Sequence, residues 1–461
     1  MSRRVPRSGV GICWRASPAS VGEAGRTRPS LNFPAPRGPA MRSAPAPGER
    51  LPLCVLFVPM KRSFQATPGT AGPLFAMTAV ALIAATYGLA RFGYGLFLPQ
   101  FSGSFALTPT IGGLLSSGAS IVYCLAAAVG FRYAPHHPRA VTILAGSSAS
   151  LGSAGIAAST VTSAFAASVL LAGMGAGFAS PSLVELVRRN VTESRQDWLQ
   201  SVVNSGTGFG VVAAGVLALA LSTSWRLAWA LIAVVTLASM IGVLMTDSSR
   251  ARTAPGRQHH GVPARRTRWS DLRPLTHPVL AAFAYGTGCA ALWIHGRTLL
   301  EQQGGMTTTS SAVVWIALGA GGAAAVLTAP WLARHSVRTT WTITVCATAG
   351  ATGAIAALPG STAFSFAAAA LFGLAYTAAT SVLIIWATHT ATSSAAGTSV
   401  LFTSLVLGQA AGSTLTGSLI DAAGFVPAFA VAAAISLIGA IGFVRPARWR
   451  TSMGRSFDRL P

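Results

Sequence analysis

The chain has 461 residues, of which 52% are hydrophobic and only 9% charged, against about a quarter charged in an ordinary soluble domain. With a mean hydropathy of +0.56, this composition excludes a soluble enzyme or binding module and describes a polytopic membrane protein. The net charge of +23 raises nucleic-acid binding, but that needs basic residues gathered on a folded polar surface with base-stacking aromatics among them, and here they fall in the gaps between apolar runs.

Residues 1–72 are rich in Arg, Pro, Gly and Ser without a helical apolar period, which predicts a disordered basic tail and not a domain. The patch Leu51 to Met60 is too short to span a bilayer and is bracketed by Pro52 and Pro59. Met60, followed by Lys61 and Arg62, is a candidate true start, because it would put a short positive leader just ahead of the first apolar run. From Pro73 onward, apolar stretches of about 20 residues recur, each long enough to cross a bilayer core. Spans are expected at 74–98, 109–131, 140–158, 161–187, 198–221, 226–245, 277–300, 310–331, 339–358, 361–387, 397–420 and 426–445, with breaks at Pro99, Thr108-Pro109, Pro135 and Pro138, Pro359-Gly360 and the turn Asp421 to Gly424.

Twelve spans put both termini on one side, and the basic residues say which. Eleven Lys and Arg fall in the leader, two at Arg132 and Arg139, three at Arg188, Arg189 and Arg195, seven from Arg250 to Arg273, two at Arg334 and Arg338, and five from Arg445 onward. The opposite gaps hold Arg226 alone, and Arg91 and Arg297 lie within spans. That asymmetry predicts cytoplasmic termini in the plasma membrane and accounts for the charge without nucleic acid.

The polar, basic gap 246–276 divides the spans six and six, giving bundles at 73–245 and 277–445 and a short tail at 446–461. The halves match weakly at an offset of about 200 residues: Leu171-Ala-Gly173 against Leu371-Phe-Gly373, Gly208 against Gly408, and Arg139 near Arg338. The expected fold is an all-α membrane protein of twelve transmembrane helices in two pseudo-symmetric six-helix bundles. The five cysteines are scattered, and neither a metal site nor a disulfide framework is indicated. Gly173-Met-Gly-Ala-Gly177 superficially suggests a phosphate loop, but it lies inside an apolar helix with no strand before it. No cofactor is expected.

This layout resembles the major facilitator superfamily of secondary transporters over about residues 73 to 445. That family's inner loop, G-x-L-x-D-R-x-G-R, corresponds to Phe131-Arg-Tyr-Ala-Pro-His-His-Pro-Arg139, and its weaker second copy to Trp331-Leu-Ala-Arg-His-Ser-Val-Arg338. The final arginines, Arg139 and Arg338, are the candidate conformational-loop residues. The aspartate position is Pro135 in one copy and Arg334 in the other, so the charge relay implied for that loop lacks its acid. Gly206-Thr-Gly-Phe-Gly210 and Gly215 resemble the family's glycine-rich fifth helix but lack the proline of the drug/proton antiporter version, which weighs against a multidrug exporter. The stretch ARFGYGLFLP, beginning at Ala90, is similar to a little-characterised bacterial branch and names no substrate.

Arg91 is the residue that most needs a reason, because a central arginine costs an inserted helix roughly 2.5 to 3.5 kcal/mol. Counted back from Leu98, it lies about 10 Å below the outer end, from which it either snorkels to the headgroups or faces a central cavity and attracts an anion. Arg297, with His295, is expected at a similar depth in span seven; its simpler role is a pair with Glu301, one helical turn on. Tyr87, Tyr94, Tyr376, Trp293, Trp386 and Gln409 are further candidates for polar contacts in a cavity, and Glu185, His295 and Glu301 for carrying a proton. Glu185 also has Arg188 and Arg189 at pairing distance along its helix. The expected function is secondary active transport by alternating access of a small-molecule substrate, an anion if Arg91 and Arg297 face the pathway. The partners expected are the lipid bilayer and either protons or a counter-transported solute, and the protein is expected to be a monomer. The alternatives are proton-coupled export of hydrophobic compounds and, remotely, a polytopic membrane enzyme, for which the sequence offers no GxSxG or HxxxxD arrangement and no catalytic residue.

Overall fold

The computed structural model describes residues 72–221, 223–248, 273–391 and 394–441. The basic leader with the Met60 start, residues 249–272 of the linker, the last residues of the twelfth expected span and the C-terminal tail lie outside them. Among the described residues twelve helices follow one another: α1 Pro73–Phe105, α2 Pro109–Tyr133, α3 Pro138–Ala158, α4 Thr162–Asn190, α5 Glu193–Ala220, α6 Trp225–Thr246, α7 Thr276–Gln302, α8 Thr308–Arg334, α9 Val337–Ala357, α10 Thr362–Thr390, α11 Ser394–Ala423 and α12 Phe425–Ile441. Ten are long and apolar enough to cross a membrane. Of the other two, α12 is apolar but shorter, and α9 is more polar because its buried face carries Thr340, Thr344, Thr348 and Thr352.

The starts follow local chemistry. Thr108, Thr307 and Ser336 each precede a helix and accept a hydrogen bond from the N–H three residues on, and Pro109 and Pro138 occupy the first helical position, where no N–H is needed. One expected break is corrected: α1 runs through Pro99 to Phe105. A proline ring crowds the carbonyl four residues back; here that residue is Gly95, and at Pro181, inside α4, it is Gly177. A glycine gives its carbonyl room to tilt, so both helices continue. Two π-helical turns, Ala84–Arg91 in α1 and Ala291–His295 in α7, carry no signal in the apolar period.

Within the first half α1 packs on α5 and α6, α2 on α4, and α3 on α4 and α6. Within the second, α7 packs on α11 and α12, α8 on α10, and α9 on α10 and α12. Close approach at glycines makes the repeat visible. A Cβ on Gly206 or Gly210 of α5 would strike the α1 backbone at Val80 and Ala84, and 202 residues later Gly408 and Gly412 of α11 sit on Phe283 and Thr287 of α7 in the same way. Gly206, and not Gly208, is therefore the partner of Gly408; Gly208 faces Ala323 in the other half. Gly173 and Gly373 likewise meet the carbonyls of Ala119 and Leu318, each within its own half.

The halves meet along α2–α11, α5–α8 and α1–α7. Gly113 lies against the Ser413 carbonyl, Gly319 against Val212, and Gly95 against the Trp293 carbonyl. Ser116 and Ser413 pair at 3.2 Å, Ser117 donates to the Ala410 carbonyl and meets Thr414 at 2.6 Å, and the Thr110 N–H donates to Asp421 at 2.9 Å. These contacts run from mid-helix toward the end that bears Arg226, the arginine-poor end.

Candidate functional site

The π turn of α1 ends on Arg91, fourteen residues before Phe105. Because α1 continues past Pro99, that is about 20 Å of helix at 1.5 Å per residue, more than an arginine side chain can bridge. Arg91 therefore does not reach that end of its own helix, whereas Arg297 lies only five residues from Gln302 at the end of α7, so the two differ in distance from their helix ends.

Arg91 is half-buried, and what surrounds it is neutral. Its Nη2 donates to Gln409 Oε1 at 3.0 Å, and the guanidinium lies 4.3 Å from the centroid of the Tyr123 ring and 5.3 Å from that of Phe92. Among the described residues no carboxylate comes within ion-pairing distance of it. The contacts extend to both sides. The Tyr123 hydroxyl meets that of Tyr87 at 2.9 Å, and Tyr87 meets Ser180 at 2.6 Å; Gln409 Nε2 donates to the Tyr376 hydroxyl at 2.9 Å. A polar chain therefore runs from α4 through α1 and α2 to α11 and α10, with Arg91 as its one charge. Trp293, stacked on Phe92 at 4.2 Å and edge-on to Tyr376 at 5.4 Å, closes the aromatic surround across the two halves.

Beside Arg91 lies a cavity partly open to solvent, lined by Phe92, Ser120, Trp229, Trp293 and Gln409 among others. Tyr94 also lines it, with its hydroxyl held by the Gly112 carbonyl at 3.0 Å.

The remaining candidates are placed elsewhere. Arg297 is fully buried and each of its three side-chain nitrogens is engaged: Nε with Glu301 at 2.8 Å and Ser311 at 2.9 Å, Nη1 with the Leu96 carbonyl of the other half at 2.6 Å, and Nη2 with the Thr308 carbonyl at 3.1 Å. It ties α7 and α8 to α1 near the arginine-poor end and is not among the residues that line the cavity. His295 is fully buried at the end of the α7 π turn. Glu185 pairs with Arg188 at 3.0 Å. Arg338 is exposed, while Arg139 donates to Asp247 at 2.8 Å and to the Leu244 carbonyl at 3.0 Å. Asp247 also accepts from Asn190 at 2.8 Å, so the acid missing from the α2–α3 loop is supplied by the end of α6.

Sequence reasoning did not single out Tyr123, Ser180, Asn190 or Asp247. For Tyr123 a signal existed, since a tyrosine in the middle of a small-residue span needs a polar partner; for Asp247 the signal was hidden because it reads as part of a solvated linker.

A family model described as Major Facilitator Superfamily matches residues 80–405. Among solved structures, the chain is similar to a bacterial homologue of the human lysosomal transporter Spinster in an inward-facing, unoccupied conformation, with a TM-score of 0.63 and 15% identity over 81% of this chain and 99% of that one. It is similar to the nucleoside transporter NupG, with a TM-score of 0.62 and 12% identity over 80% and 97%, and to a POT family transporter in complex with a thioalcohol-conjugated peptide, with 0.63 and 11% over 80% and 94%. At these identities the likeness is one of fold. No curated protein matches the chain.

Proposed function

The chain belongs to the Major Facilitator Superfamily, and from that premise we propose that it carries a small anionic solute across the membrane by alternating access, with Arg91 holding the anion between the two bundles. It is a multi-pass membrane transporter and not an enzyme. The observation that carries the anionic reading is an arginine deep in its span, beside a cavity, bonded to an amide oxygen and aromatic faces and to no acid among the described residues. A cation in that setting costs free energy that an arriving anion recovers.

The acids considered for proton transfer, Glu185 and Glu301, are each held by an arginine, which weighs against proton-linked export through them. The distribution of basic residues supports a cytoplasmic arginine-rich end in a plasma membrane. In that orientation the α2–α11 contacts that join the halves lie toward the outer side.

A thermal-shift panel of organic acids, amines and neutral drugs on the detergent-purified protein tests the reading, because a ligand that binds only the folded form raises its apparent stability. The expected result is stabilisation by one or more acids that is lost in Arg91→Gln. Stabilisation by amines or neutral compounds and by no acid would overturn it.

A further inference from the structure

The cavity beside Arg91 offers more than one positive charge. Two of its walls are tryptophans from opposite halves, Trp229 of α6 and Trp293 of α7, both buried. Their indole N–H groups have no hydrogen-bond partner among the described residues. A buried donor without an acceptor is costly, and both nitrogens are closed off in the described state, so a ligand seated beside the acid-free guanidinium gains them only when the rings turn toward its acceptor atoms.

The other walls limit what else that ligand carries. Ile156, Val169 and Phe92 are apolar. Of the polar groups, Ser116 and Ser413 are bonded to each other, and Gln409 is divided between Arg91 and Tyr376. Few free groups remain for the hydroxyls of a sugar or polyol. Among the described residues that line the cavity Arg91 is the only charged one, so a second negative charge on the solute would find no counter-charge there.

We propose that the transported solute is a hydrophobic monocarboxylate: its carboxylate rests on Arg91, its apolar body lies against the aromatic and aliphatic walls, and the two indole N–H groups supply further donors to its acceptor atoms. This rests on the reading of the cavity as the transport site for an anion.

Binding to the full-length purified protein at neutral pH, followed by tryptophan emission and calorimetry, separates the two levels. The probes are benzoate, phenylacetate and indole-3-acetate, their primary amides, acetate and phthalate. At least one aryl monocarboxylate is expected to bind saturably and about tenfold or more tighter than acetate, since burying a ring outweighs the 1.4 kcal/mol that a tenfold change represents. Its amide and phthalate are expected to bind more weakly by a similar factor, Arg91→Gln to abolish binding, and Trp293→Phe, which keeps the ring and removes the donor, to weaken it severalfold. Acetate or phthalate binding as tightly as every aryl monocarboxylate would overturn the hydrophobic monoanion while leaving an anion site. Amides binding as tightly as the acids would overturn the anion site itself. Absence of saturable binding by all three aryl acids would overturn the proposal in either case.

Discussion

Arg91 and Arg297 are the same residue type in the first helix of each half, and what separates them is how their donors are used. Arg297 has its donors committed, sits at zero exposure and faces a Glu301 side chain that is 14% exposed. Removing it leaves a largely buried acid without its counter-charge, so Arg297→Ala is expected to lower stability by about 3 kcal/mol, read as a fall in the unfolding midpoint in detergent. Arg297→Lys keeps the charge but loses the planar fork that reaches Leu96 and Thr308 together, and should recover only part of that loss. Arg91 holds one amide oxygen and lies over rings. Its replacement by Lys is expected to leave the unfolding midpoint nearly unchanged while weakening anion binding about tenfold, because a point charge replaces the fork. Equal loss of stability at the two positions would contradict this division of roles.

Among the elements, α5 and α11 set their glycines against the first helix of their own half. Gly210 touches the α1 backbone at Ala84 and Gly88, whereas Gly350 in α9 has open space where its Cβ would be. Gly210→Ala is therefore expected to cost about 1 to 3 kcal/mol through overpacking, and Gly350→Ala to add up to about 1 kcal/mol through helix propensity, both measurable as shifts in the unfolding midpoint. At the arginine-poor end, Asp421 of α11 accepts from the N–H and hydroxyl of Thr110, so a carboxylate of one half caps the first turn of α2 in the other. Such a contact is worth about 1 kcal/mol at an exposed helix end. Asp421→Asn should therefore raise labelling of a cysteine placed at Ser120, in a cysteine-free background, by about fivefold for a reagent confined to that side. An unchanged labelling rate would remove Asp421 from the closure.

At the scale of the whole molecule, alternating access requires the α2–α11 and α5–α8 contacts to part in each cycle. The hydroxyls of Ser116 and Ser413 are 3.2 Å apart across α2–α11. A Ser116→Cys/Ser413→Cys double variant is expected to form a disulfide under mild oxidation, to stop uptake in proteoliposomes, and to regain it on reduction. Transport that survives complete cross-linking would exclude separation of the halves along this contact. Orientation belongs to the same scale. With 30 of 33 basic residues on one side, a fluorescent-protein fusion at the C-terminus is expected to fold and fluoresce, and a fused periplasmic phosphatase to be inactive.

Twelve helices, their division six and six and the repeat were determined by sequence alone, because apolar length, proline and glycine breaks and the placement of arginine are local quantities that a bilayer reads directly. The Arg297–Glu301 pair was equally legible, since four residues on a helix bring side chains together. Tertiary structure decided the rest. Pro99 ends nothing because its i−4 neighbour is Gly95, and that places Arg91 mid-helix instead of near a surface. Arg139 has an acid because the end of α6 returns to the α2–α3 loop more than a hundred residues later in the chain. Arg91 meets Gln409, 318 residues away, because α11, packed on α2 across the two bundles, comes within reach of the Arg91 side chain there. No periodicity records such a meeting, since the pairing of residues from separate helices is fixed by how those helices pack and not by the sequence around either one.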